Sequence, residues 1–370
     1  MLNVQKYLLE NGLQSLKDNY GVITKEYDNF VVLNYSQTDS PKNNPITDEC
    51  RGLILTANFK KVLCRSFDRF YNLGEADQKI DNIDDYTILE KYDGSLINIW
   101  YNPFEDKFQA SSRGTAYAES ETQYGTKFID IIRYQILGIE VDEFFENLNP
   151  YCTYIFELVG PENRVVKYYN EPKLVFIGMR DSIDGNFVTY DEMIYTHSFR
   201  FSHNPNVLLA DKYEFSSIND IMENIKTLNA TDEGYVLWNE KTGHRIKIKN
   251  PDYVHIHHIR DNGVLVPRRI VSLIHSNGHE EYLSYFPEDI QFFQPYIDAY
   301  NNFIKDINNV WDSVKHIEDQ KEFALKVKDK PITPILFTLK KGFTIKDAFD
   351  KIQDKKLAEM VKKYKEENNE

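Results

Sequence analysis

Read for the spacing of its apolar and polar positions, the chain changes character near residue 255. Before that point, short runs rich in β-branched and aromatic residues alternate with Gly, Asn, Asp and Pro. They are 29–35 (NFVVLNY), 51–56 (RGLILT), 86–92 (YTILEKY), 96–101 (LINIWY), 154–159 (YIFELV), 173–180 (KLVFIGMR), 234–239 (GYVLWN) and 244–250 (HRIKIKN). Runs of this length bounded by turn formers predict strands, and their number predicts an α+β or mainly antiparallel region. A helix is expected inside it over 119–138. After 255 the period lengthens. PYIDAYNNFIKDINNVWDSVKHI repeats its apolar positions every three or four residues, and Thr344 with Asp347 makes a capping-box start to a second helical run. A sheet-rich domain over 1–254 followed by a small all-α domain over 255–370 is the expected organisation.

Composition narrows the class. A length of 370 residues is enough for two or three domains with a real core. Hydrophobic and charged contents of 41% and 28% are those of an ordinary globular protein. The three cysteines are odd in number and lack CxxC spacing, which argues for a reducing compartment and against a disulfide framework or a zinc site. No basic-then-apolar leader and no apolar run of membrane-spanning length is read, so a cytoplasmic protein with no membrane partner is expected. The net charge of −14 provides no global field for a polyanion. Any nucleic-acid contact must be local, at 243–250 (GHRIKIKN) or at the VPRR ending in Arg269.

Several polar signals lie beside the predicted strands. Lys91-x-Asp93-Gly94 falls on a loop between two of them, where a lysine can act as a nucleophile if its amine is neutral and aimed. So short a pattern also describes a plain turn. Arg51, opening a strand, offers a planar fork suited to phosphate. In 65–75 (RSFDRFYNLGE), Arg65 and Arg69 are interleaved with aromatic residues, as in an amphipathic strand or a nucleotide-binding wall. Arg113 precedes a turn glycine, and Glu233 precedes Gly234 and a strand. Glu157 stands inside an apolar run, where a carboxylate is costly unless it is bonded or functional. Lys247 and Lys249 are two apart on a strand and share a face, a pair that favours a polyanion between them.

The order of these signals resembles the covalent nucleotidyltransferase superfamily. Within it, ECRGLIL, RSFDRFYNLGE, EKYDGSL, FELVGPENRVV and EGYV…KIKNPDYV resemble the phage RNA ligase 1 family, the tRNA-repair type, over about residues 30–255. The resemblance implies an antiparallel-sheet, ATP-grasp-like nucleotidyltransferase domain followed by a helical domain that recognises RNA. It implies ATP-dependent joining of RNA 3′-hydroxyl and 5′-phosphate ends, such as those of a broken tRNA, by a monomer in the host cytoplasm. Lys91 becomes the nucleophile that forms lysyl-AMP. Lys247 and Lys249 hold the α-phosphate and lower the Lys91 pKa by like-charge repulsion. Arg51 and Arg69 lie over the nucleotide and its phosphates, Glu157 accepts from the ribose, and Glu233 holds Mg2+ or Mn2+. Tyr35 lies near the nucleotide, Phe176 stacks on adenine, and Tyr253 serves later steps. Arg69 and Arg113 stand where better-known members carry lysine, keeping the charge without its point geometry. Two other readings share some of these features. A DNA ligase or capping guanylyltransferase shares the lysine chemistry but adds a barrel of short strands that is not seen after Lys249. A non-catalytic RNA-binding protein on a decayed ligase fold would not need every catalytic-type residue.

Overall fold

The computed structural model describes residues 1–122, 124–259, 265–276, 278–328 and 332–367. They fall into two compact units, Met1–His258 and Ile259–Glu370.

The first unit opens with a helix, Asn3–Tyr20, kinked at Gly12. Fourteen strands follow among the described residues: β1 Val22–Glu26, β2 Phe30–Tyr35, β3 Arg51–Thr56, β4 Val62–Cys64, β5 Tyr71–Asn72, β6 Thr87–Glu90, β7 Ser95–Asn102, β8 Lys107–Ser112, β9 Cys152–Val159, β10 Lys173–Asp181, β11 Val207–Leu209, β12 Lys212–Tyr213, β13 Gly234–Trp238 and β14 Arg245–Lys249. They make three sheets in the orders β1-β2-β3-β4, β11-β10-β9-β7-β8 and β12-β6-β13-β14-β5. Pairing is antiparallel except at β10–β11 and β14–β5. The expected α+β class with antiparallel-rich sheets is what forms.

The first sheet is buried on both faces, Val31, Leu33, Leu53 and Leu55 on one side and Phe30, Val32 and Ile54 on the other. The opening helix covers the first sheet through Val4, Leu8 and Leu16. The second turns Phe156, Leu158 and Phe176 into the main core with Phe145 and Phe201. The third packs Ile88, Leu237 and Ile248 on Ile221 and Ile225 of the helix Ile218–Ile225. The helix expected over 119–138 begins only at Phe128. Residues 119–127 (ESETQYGTK) offer no apolar stripe to bury and include a glycine, so helix formation there lacks the packing that sustains it. From Ile131 to Leu137 the turns widen, with the Gly138 amide donating back to the Arg133 carbonyl at 2.8 Å.

Among its described residues the second unit is helical throughout. Its longest helix, Ile290–Val314, and the helix Pro267–His275 both pack on Asp354–Glu367. Phe303 stacks on Phe349 at 6.0 Å. The capping box at Thr344 and Asp347 is present, each side chain bonded to the other's backbone amide. Among the described residues no helix is long and apolar enough to cross a membrane.

Candidate active site

Because strand side chains alternate, the faces of the second and third sheets that turn away from their cores are free to face each other. They line a narrow slot of about 60 Å³, with Leu89, Val236 and Arg245 from one sheet and Leu96, Glu157 and Ile177 from the other. Phe67 and Phe70 complete its wall. Arg51, Lys91 and Glu157 also line an open polar cleft that adjoins the slot and adds Ser112 and Arg113. Lys91 therefore sits where an apolar slot meets a polar cleft.

Backbone contacts hold it there. The Lys91 amide donates to the Gly234 carbonyl at 2.9 Å, and the Asn250 amide donates to the Glu233 carbonyl at 2.9 Å. This draws Lys91, Glu233 and the end of β14 together. Two glycines permit the approach. At Gly94 a Cβ would stand 2.2 Å from the Leu158 carbonyl oxygen of β9; at Gly234, with φ +123°, it would stand 2.2 Å from that of Ile248. Asp93, almost fully buried, accepts from the Val166 and Lys167 amides at 2.7 Å each and from the Tyr253 hydroxyl at 2.6 Å. Those bonds fix the loop that carries Lys91.

At the centre is a three-membered ion cluster. The buried Glu233 carboxylate takes the Lys91 ammonium on one oxygen at 2.6 Å and that of Lys249 on the other at 2.7 Å. Burial alone would raise Glu233, but the two ammonium groups hold it below the usual carboxylate range. Burial would likewise lower Lys91, but Glu233, with Glu157 behind it, outweighs burial and holds the amine above its usual value. The expected depression of Lys91 by neighbouring lysines is thus corrected, because Glu233 lies between Lys91 and Lys249 and faces both charges. The depressed amine is Lys247. Burial, with Arg51, Lys91 and Lys249 as like charges, pushes it down to about 7. Among the described residues it has no carboxylate partner, and it lies 5.1 Å from the Phe70 ring. Burial pushes Glu157 up to about 7 against the pull of Lys91 and Arg51.

The remaining predicted residues divide into two groups. Arg51 joins the site, with its guanidinium 4.8 Å from the Phe70 ring and a buried Nε that has no hydrogen-bond partner. Burial lowers its pKa. Tyr35, Arg69 and Arg113 stand together beside it, with the two guanidiniums 4.2 Å and 5.3 Å from the Tyr35 ring. Arg69 is buried and donates from one terminal nitrogen to the carbonyls of Ser40 and Pro41, so that nitrogen is engaged by the chain itself. Tyr253 lies behind Asp93, its ring 5.5 Å from the Lys249 ammonium. Phe176 is a correction. It is fully buried in the main core, 5.1 Å from Phe156 and 5.4 Å from Phe201, and Ile177 is the neighbour that lines the slot. Three residues were not singled out from the sequence: Asp93 as the anchor of the loop, Lys167, which bridges Glu90 at 3.1 Å and Asp232 at 2.9 Å, and Arg245. For Arg245 the signal was available, since the alternation that pairs Lys247 with Lys249 puts it on the same face.

The chain resembles known ligases in sequence. The chain is 28% identical to a protein named as a bifunctional polynucleotide kinase/RNA ligase from Autographa californica nuclear polyhedrosis virus, over 98% of this chain and 53% of the relative. It therefore spans about half of that relative's length. It is 24% identical to an RNA ligase of Rhodothermus phage RM378, over 76% of this chain and 78% of that one. Among solved structures, an archaeal ATP-dependent RNA ligase overlaps 90% of this chain and 79% of its own at 13% identity, with a TM-score of 0.49. The sequence profile described as RNA ligase matches residues 49–253, a stretch that holds the slot, the ion cluster and Tyr253. That match covers more than half of the chain, and the chain belongs to the phage RNA ligase 1 family.

Proposed function

We propose that the chain is an ATP-dependent RNA ligase that works through lysyl-AMP and RNA-adenylate. The observation that carries this reading is the position of Lys91, which lines both an apolar slot suited to a base and a polar cleft suited to phosphates. The Lys91 amine attacks the α-phosphorus of ATP. A P–N bond forms, the bond from the α-phosphorus to the bridging oxygen breaks, and pyrophosphate leaves. The ammonium first gives one proton to the Glu233 carboxylate to which it is already donated, which bares the nitrogen lone pair, and the second leaves the nitrogen with the departing pyrophosphate or to water as the P–N bond forms. An RNA 5′-phosphate oxygen then attacks the same phosphorus and displaces Lys91. Finally a 3′-hydroxyl attacks the activated 5′-phosphate and AMP leaves.

Phosphoryl transfer of this kind is mostly positioning and charge neutralisation. Lys247, Lys249 and Arg51 supply the cations, Glu157 accepts from the ribose, and the base lies between Val236 and Ile177. No three His, Cys, Asp or Glu side chains converge among the described residues, so the donor set suits Mg2+ or Mn2+ completed by substrate phosphates and water rather than by a protein cage. Glu233 would hold it, and it would neutralise phosphate charge. The RNA is one bearing a 5′-phosphate and a 3′-hydroxyl, such as a cleaved tRNA, and the helical second unit recognises it.

The test is intact-mass measurement after incubation with ATP and Mg2+, with GTP in parallel, followed by sealing of a 5′-phosphorylated RNA. One AMP adduct is expected with ATP. Lys91→Ala should form none while keeping the far-ultraviolet circular dichroism of the parent, because Lys249 still partners Glu233. No adduct on the parent, or an adduct retained by the variant, would overturn the reading.

A further inference from the structure

Arg245 is buried, 5% exposed, at the start of β14, and it lies on the strand face that carries Lys247 and Lys249. Three rings hold its guanidinium: Phe187 at 4.0 Å, Phe67 at 4.3 Å and Trp238 at 4.6 Å. Ring faces stabilise a cation but accept little from its in-plane N–H groups. One terminal nitrogen donates to the Gly243 carbonyl at 3.1 Å, and the other is buried with no hydrogen-bond partner. No carboxylate pairs with it among the described residues. The nearby Asp68 is taken by both terminal nitrogens of Arg180, at 2.9 and 3.0 Å. A buried charged donor left unpaired is costly, and proteins keep such groups where a ligand completes them.

Arg245 lines the slot together with the aliphatic walls Val236, Leu89, Leu96 and Ile177. Along an extended strand it lies about 7 Å beyond Lys247 and about 13 Å beyond Lys249. Phosphates beside the two lysines would put a ribose next and a flat heterocycle beside Arg245. A guanidinium has donors and no acceptor, so it can read only an acceptor on that heterocycle.

Resting on the nucleotidyltransferase reading above, we propose that Arg245 is the base-reading residue, its free N–H bonding a ring nitrogen of adenine at the inner end of the slot. The contact selects for an acceptor at one defined position of the ring and sets nucleotide affinity rather than the chemistry at Lys91.

The experiment uses the full chain and two readouts, the rise in melting temperature with AMP or its analogues and the concentration dependence of adduct formation with the triphosphates. The probes are the adenine nucleotides and their 1-deaza, 3-deaza and 7-deaza forms, each lacking one ring acceptor. One of the three should bind at least tenfold more weakly than the parent, the loss of a hydrogen bond to a charged donor. Arg245→Met, which keeps an apolar side chain among the three rings, should weaken AMP and ATP by a similar factor with the maximal adduct rate nearly unchanged. It should lose nothing further with the sensitive analogue, the non-additivity of one shared contact. Equal binding of all three analogues by the parent protein would overturn the proposal, as would a folded Arg245→Met variant with unaltered affinity. If that variant fails to fold, the analogue series decides alone, since it needs no substitution. A parent protein that forms no adduct with any nucleotide overturns the ligase reading and this one together. A parent that forms it but is indifferent to every ring nitrogen overturns the Arg245 assignment alone.

Discussion

Lys91 and Lys247 lie at the same site and are pushed in opposite directions. Lys91 is held as an ammonium by Glu233, whereas Lys247, facing Arg51 and the other lysines, is pushed down to about 7. With its folded value below its ordinary one, the Lys247 ammonium costs stability fully below pH 7, and that cost is relieved as pH rises toward the ordinary lysine range. A triphosphate laid against Lys247 favours the charged form again. Nucleotide binding should therefore take up about one proton at pH ~8 and almost none at pH ~6. Calorimetry in buffers of different ionisation heat measures this, and Lys247→Met should abolish the difference between the two pH values. Uptake that does not vary with pH would place the phosphates away from Lys247. The sequence made the nature of these charges legible but not their partition, because Glu233 and Lys91 are 142 residues apart and meet only through the pairing of β13 beside β6.

At the scale of elements, alternation within one strand was readable wherever the two faces differ in polarity. The run 244–250 shows this: Ile248 packs with Leu237 on the helix Ile218–Ile225, while the opposite face carries Arg245 into the slot, Lys247 to the Phe70 ring and Lys249 to Glu233. The run 173–180 shows the limit. VFI is apolar on both faces, so the pattern does not say which side turns inward; pairing with β9 sets Leu174 and Phe176 opposite Leu158 and Phe156 in the core and leaves Ile177 to the slot. The opening helix was also missed, for Gly12 interrupts its apolar stripe. Between β6 and β7 the close approach of Gly94 to Leu158 sets the position of the loop. Gly94→Ala should keep the fold at a cost of about 1–3 kcal/mol, as in other overpacked sites. It should slow adduct formation at least tenfold by moving Lys91 relative to Glu233. Chemical denaturation together with the single-turnover adduct rate tests this, and an unchanged rate would show that the loop is positioned by Asp93 alone.

For the whole molecule, the negative charge is unevenly shared. Residues 1–258 hold 26 Lys and Arg against 39 Asp and Glu, while residues 259–370 hold 18 against 19. The first unit thus carries almost the entire excess, although Arg51, Lys91, Arg113 and Arg245 line its slot and cleft. In the second unit Arg268 and Arg269 are exposed in the first turn of Pro267–His275, where a cation opposes the helix dipole by about 0.3–1 kcal/mol. Replacing both with alanine should leave melting unchanged or raise it, and should reduce binding of a nicked, structured RNA more than of a single strand. The dependence of that binding on salt should match only a few phosphate contacts. A steep slope, or equal losses on both RNAs, would assign the contacts elsewhere. The charge balance bears on release as well. If the chain seals RNA as proposed, a joined strand no longer has the activated end that held it, and a unit with 39 acidic against 26 basic residues has a net charge of the same sign as its backbone, so product should leave readily and allow repeated turnover.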